Sequence, residues 1–230
     1  MINNKFLNRI ASVKGDRKKV DAILAECKSQ VKSDPSALVA LSVMQLEGIY
    51  LEKNISSALK RLDSIVKESN NPEASEVMAI IYEKGLFGQQ SDIKKSERFY
   101  RISANAERPE ASFKLATFYE SHPQFTPDLA ESFRWYEVAA KAGHTTALEK
   151  LGAIYLTGGT GLFGDHIGKE ESKGIQLLET ATEKGSKDAA KRLSLFHLGK
   201  LIQFANKSSS EDKSIELILS NMADIEWLSK

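Results

Sequence analysis

The stretch Gly159-Thr160-Gly161-Leu162-Phe163-Gly164 spells G-x-G-x-x-G, the pattern that cradles a dinucleotide pyrophosphate. That chemistry needs a strand directly before the glycines and a helix opening directly after them, so that free backbone N–H groups face the phosphates. Neither context is present. Residues Ala147–Leu156 carry a helical apolar spacing, and the next helical pattern starts only near Lys169. The phosphate-loop pattern fails too, because Gly168-Lys169 is followed by Glu170. The same loop holds Asp165-His166, an acid beside a base, and a hydrolase using the 158–168 loop and His166 is the enzymatic reading that the residues offer. Against it, there is no G-x-S-x-G elbow. His122, His144, His166 and His197 stand too far apart to place two metal ligands on adjacent turns of one helix. The single cysteine, Cys27, excludes an internal disulfide and a two-thiolate zinc site; on a helix predicted over about 17–33 it reads as a small buried side chain. The expectation is a chain with no catalytic residue, cofactor or metal, and not an enzyme.

The 230 residues carry 32 basic and 31 acidic side chains, a net charge of +1. That balance offers no strongly basic surface for neutralising phosphates, so nucleic acid is not an expected partner. Hydrophobic residues at 41% and charged ones at 27% are globular composition. No apolar run approaches the roughly 18 residues of a membrane helix, so membrane insertion is not expected. Ile2, Phe6, Leu7, Ile10 and Val13 fall at helical spacing among Lys5, Arg9 and Lys14, which predicts a basic amphipathic helix over 2–13 packing on the next one. It lacks the continuous apolar core and cleavage signature of a secretory signal, and a cytoplasmic setting is the expectation.

Those candidate groups sit inside a period. Ala37, Ala74, Ala111, Ala147 and Ala189 are separated by 37, 36, 36 and 42 residues. Four places on stand Leu41, Met78, Leu115, Leu151 and Leu193; eight on, Gln45, Tyr82, Tyr119, Tyr155 and His197. Eleven on come Gly48, Gly85, His122, Gly158 and Lys200, with Gly199 one place early. Positions 0, 4, 8 and 11 trace one helical stripe, and glycine at its end suits a left-handed stop. Fifteen before the next anchor stand Ser96, Ser132 and Gly174; in the first unit Ala58 lies sixteen before, with an insertion at Asn70-Asn71. Aromatic or apolar pairs follow (Phe99-Tyr100, Trp135-Tyr136, Leu177-Leu178), then the small residues Ser103, Ala139 and Ala181. Each unit is therefore a helix, a loop and a second helix, which must stack on its neighbours to bury its stripe. The extra length of the fourth unit makes its glycine-rich segment an enlarged loop, and Gly85-Leu86-Phe87-Gly88 occupies the same place earlier.

Residues 92–159 resemble Sel1-like repeats, relatives of the tetratricopeptide repeat, and the resemblance covers roughly residues 37–205 as four clear repeats with a degenerate one after them. Leu151-Gly152, Tyr155, Gly158, Trp135-Tyr136, Ala139-Ala140 and Gly143 match that pattern, and Gln45, Ile65 and Val66 of the first unit depart from it. The resemblance implies an all-α superhelical solenoid of helix-loop-helix units: an N-terminal helical cap over 1–36, a repeat array over 37–205 with units starting near 37, 74, 111, 147 and 189, and a C-terminal capping helix over 206–230. It also implies a non-catalytic scaffold or adaptor that binds a protein or peptide. A bacterial immunity or inhibitor protein that neutralises a toxin or enzyme by direct binding is the alternative.

The repeated aromatic residues read as packing, so recognition is expected from first-helix positions that vary between units. These are Glu76, Ile80 and Glu83; Phe113, Thr117 and Glu120; and Glu149, Ala153 and Leu156. The face is mildly acidic with apolar spots, suited to a basic or amphipathic segment. His197, at a tyrosine position, is expected to pack. The apolar residues from Ile215 through Trp227 and Leu228 predict a closing helix, which also offers a surface for homodimer formation.

Overall fold

The structure, a computed structural model, describes residues 3–106, 108–122, 130–158 and 167–207. The Gly159–Gly164 motif, Asp165, His166, Ile2 and the expected closing helix beyond Lys207 lie outside the described residues. Within them the chain is all α, with eleven helices in order: α1 (Lys5–Ser12), α2 (Arg17–Ser29), α3 (Pro35–Glu47), α4 (Ile55–Ser69), α5 (Pro72–Lys84), α6 (Ile93–Ala104), α7 (Pro109–Ser121), α8 (Ala130–Lys141), α9 (Thr145–Thr157), α10 (Glu171–Glu183) and α11 (Lys187–Lys207). None of the described helices is long and apolar enough to cross a membrane.

Local chemistry sets the helix ends. Asn71 Oδ1 accepts from the Ala74 N–H at 2.9 Å with Pro72 at the first helical position, and Asp34 caps α3 in the same way ahead of Pro35. Gly48 and Gly85 close α3 and α5 at φ 71° and 63°, and Gly158 follows α9 at φ 77°, as the period predicts. Two units break that rule. His122 ends α7 at φ −127°, and α11 runs on through Gly199 to Lys207. Helix α2 ends at Ser29, four residues short of expectation, and α1 starts at Lys5.

The chain divides into two units, one ending at Ala147 and one running from Leu148. In the first, each odd-numbered helix from α3 to α7 pairs with the helix after it, and each pair packs on the next. The anchor alanines stand third in their helices and are buried. Five places after each anchor is another small residue, and in the pairs α5–α6 and α7–α8 the two helices touch there. Ser96 Oγ donates to the Ala79 carbonyl at 3.0 Å, and Ser132 Oγ to the Ala116 carbonyl at 2.8 Å. The second unit makes the same contact with glycines: a Cβ on Gly174 would lie 2.9 Å from the Gly152 carbonyl oxygen. Small side chains thus let backbones approach, and the aromatic series packs around them. Tyr136, Tyr119 and Tyr100 are buried, and Tyr82 stacks on Phe99 with centroids 5.8 Å apart.

The N-terminal segment does more than pack on one neighbour. Phe6 and Ile10 of α1 join Val20, Leu24, Cys27 and Met44 in one core cluster. Asn4, fully buried, caps α1 through Oδ1 while its Nδ2 donates to the Ser36 carbonyl at 2.9 Å and to Glu73 Oε2 at 2.6 Å. Arg108 Nη2 donates to the Asn3 carbonyl at 2.8 Å. Two residues before α1 therefore reach the N-terminal ends of α3, α5 and α7.

Candidate functional site

Within the first unit the varying first-helix positions are Glu76, Ile80 and Glu83 on α5 and Phe113, Thr117 and Glu120 on α7. Glu83 Oε2 accepts from the Tyr100 hydroxyl at 2.8 Å, and Glu120 Oε2 accepts from the Tyr136 hydroxyl. Each carboxylate is thus fixed by the buried tyrosine of its own second helix. Burial, then Glu83, pushes the Tyr100 hydroxyl far above its usual range, so it acts only as a donor. Ile80, Thr117 and Phe113, on the same two helices, are half-buried. Thr117 Oγ1 donates to the Phe113 carbonyl at 2.9 Å, and Phe113 stacks on His144 with centroids 4.3 Å apart.

Glu76 is a correction. It does not line an open face: it is 1% exposed and ion-paired to Lys114 of the next first helix. Its second oxygen, Oε2, is buried with no hydrogen-bond partner. Lys114 also lies 3.7 Å from Glu110 Oε1, and His144 Nε2 lies 3.0 Å from Glu110 Oε2. His144 Nδ1 accepts from the Ala147 N–H at 3.2 Å, capping α9, which leaves the ring proton on Nε2 to donate to Glu110. That hydrogen bond, with Lys114 beside it, holds the Glu110 carboxyl below the usual carboxylate range. The row Glu76–Lys114–Glu110–His144 ties α5 to α7 by ion pairs and α7 to the residue before α9 by a hydrogen bond.

In the second unit Glu149 performs the same job. Its Oε1 takes the Arg192 Nε at 3.2 Å, and its Oε2 accepts from Ser186 Oγ at 3.2 Å. The register repeats: an acid two after one anchor meets a base three after the next, as in Glu76 with Lys114. Leu156 is also corrected, being buried with its side chain against the Gly174 backbone. The sequence signal for these ties was the conjunction of position two in one unit with position three in the next, which becomes visible only once first helices are taken as neighbours.

The remaining candidates separate. Cys27 is fully buried and its thiol donates to the Ala37 carbonyl at 3.3 Å; burial, then Asp34 and Glu26, pushes it up to about 11. A thiol held protonated there is no nucleophile. His122 stacks on Phe118 at 4.5 Å, and His197 is exposed rather than packed. Leu195, Leu198, Ile202 and Phe204 of α11 are exposed as well. No group of three or more His, Cys, Asp or Glu is assembled as metal ligands among the described residues.

The Sel1 repeat matches this chain at residues 35–60, 72–107, 109–144 and 145–186. The last three spans each cover a complete helix pair, whereas the first stops within α4, ahead of the departures at Ile65 and Val66. A Sel1 repeat protein from Oxalobacter formigenes superposes with a TM-score of 0.62 at 22% identity, over 81% of this chain and 71% of that one. The protective antigen c5321 of uropathogenic Escherichia coli, which displays an SLR fold, superposes with a TM-score of 0.60 at 17% identity. It covers 94% of this chain, which spans 47% of that one. A comparison with curated proteins gave no match.

Proposed function

Because the chain belongs to the Sel1 repeat family, we propose that it is a non-catalytic protein-binding scaffold whose helices α5 and α7 present one stripe to a basic or amphipathic segment. The carrying observation is the pair Glu83 and Glu120. Each carboxylate is held in place by a tyrosine hydroxyl of its own unit, at the same register, with the half-buried Ile80, Phe113 and Thr117 on the same two helices. Acids fixed before binding lose little freedom on contact, and their charge selects cationic partners. Glu76, and Glu149 in the second unit, tie helices together and are assigned to the fold rather than to recognition. In the cell this reading corresponds to a cytoplasmic adaptor.

The test is affinity capture from the native cell with the wild type and with Glu83→Gln combined with Glu120→Gln. Glutamine still accepts the tyrosine hydrogen bonds, so the fold is kept while both charges go. Loss of the same captured protein from the double variant is the expected result; undiminished capture sinks the stripe as the binding face. If the captured protein is an enzyme that this chain inactivates on mixing, the scaffold acts as an inhibitor through the same surface.

A further inference from the structure

On the side of the first unit formed by the second helices, a cleft of ≈ 340 Å³ runs between α4 and α6. Its floor is Val66, Tyr82, Phe99 and Ile102, and its rim carries Lys67, Lys95 and Arg98. It adjoins a further cavity of ≈ 610 Å³ through the shared residues Tyr82 and Lys95. Of the cations, Lys67 pairs with Asp63 at 2.6 Å, and Lys95 lies 3.4 Å from Asp92 and over the Tyr82 ring. Arg98 has no hydrogen-bond or ion-pair partner among the described residues. The Tyr82 hydroxyl also lacks one, although its counterpart Tyr119 donates to Glu97 at 2.6 Å.

The next pair of second helices does not repeat this arrangement. Between α6 and α8, Tyr119 is buried, and Arg101 covers its ring while pairing with Glu97 at 3.0 Å. Glu131 stands where Lys95 does, one place before the buried serine of its helix, and it pairs Arg134, the counterpart of Arg98, at 2.7 Å. One repeat later, then, the guanidiniums are neutralised from within. The inserted Asn70, whose φ is 48°, lines the open cleft.

We propose that the α4–α6 cleft is a second docking surface, for an acidic segment of a partner protein that seats an apolar side chain on Phe99 and Ile102 and gives a carboxylate to Arg98. A guanidinium takes a carboxylate through two parallel hydrogen bonds, and the half-buried apolar floor supplies the contact area. The surface is independent of the α5–α7 stripe and prefers the opposite charge, so either can fail without the other.

The probe is a short synthetic peptide alternating Glu with Leu and Phe, titrated at low salt into the full isotope-labelled chain and followed by amide NMR shifts. Saturable shifts confined to α4, α6, Tyr82 at the end of α5 and residues 89–95 are expected, with none from the same peptide bearing Lys for every Glu. Arg98→Glu should weaken binding at least about tenfold, the loss of one charge-assisted pair. Arg134→Glu, on the same side but internally paired, should leave it unchanged. The proposal is overturned by an absence of saturable shifts, by shifts centred on Phe113, Thr117 and Glu120 of α7, or by equal weakening from both arginine variants.

Discussion

The ion pair of Glu76 and Lys114 sits where charge is expensive, with the carboxylate 1% exposed and one oxygen unpaired. Removing the lysine leaves a buried charge without compensation, whereas amidating the glutamate removes the charge itself. Lys114→Met should therefore lose about 3 kcal/mol in urea unfolding at neutral pH, and Glu76→Gln only about 1 kcal/mol. Equal losses would mean that Lys114 contributes packing rather than charge. Glu110 gives the matching pH prediction. Its carboxyl is held low by His144 and then Lys114, so its contribution is present at neutral pH and is lost as pH falls through the carboxylate range. With 40% of that side chain exposed, the gap between wild type and Glu110→Gln should be about 0.5 kcal/mol at pH 7. It should close on acidification. None of this was legible in the residues alone: an acid at a varying position looks the same whether it faces a partner or the next helix.

At the scale of elements the period carried most of the information. The anchor alanines, the glycine stops of α3 and α5, and the serine and glycine residues fifteen before an anchor all follow from spacing, because close backbone approach admits only small side chains. What spacing missed was the partner position five after each anchor (Ser42, Ala79, Ala116, Gly152), equally regular but readable only as half of a contact. It also missed the length of α11, since a glycine stops a helix only where the chain turns left-handed. Two alanine substitutions separate these cases. In Gly174→Ala the new Cβ meets the Gly152 carbonyl at 2.9 Å and Leu156 Cδ2 at 2.8 Å, an overpacking cost of about 1–3 kcal/mol. In Gly199→Ala it meets nothing within 4 Å, so α11 should gain about 0.5–1 kcal/mol from the stiffer backbone. Thermal melts of the two variants should move in opposite directions.

For the molecule as a whole, membership of the repeat family explains why helices meet mainly their sequence neighbours, an arrangement in which stability accumulates unit by unit. The Asn3-Asn4 segment breaks that locality. Its hydrogen bonds span 32, 69 and 105 residues of sequence, whereas the apolar spacing places both residues inside a terminal helix over 2–13. Asn4→Ala should make the amides of α1 and α2 exchange with solvent faster than those of α5 to α8, whereas the wild type protects them together. A consequence follows for synthesis. Synthesis runs from N- to C-terminus, so α1 emerges before α5 and α7; the Asn4 amide can meet the Ser36 carbonyl early, but it lacks its second acceptor until Glu73 has emerged, and Asn3 waits longer for Arg108. The apolar face of α1 can close on α2 and α3 once Met44 is out, but the ties that fix this segment to the later repeats form only after Arg108 has been made, so until then its docking stays loose and open to chaperones.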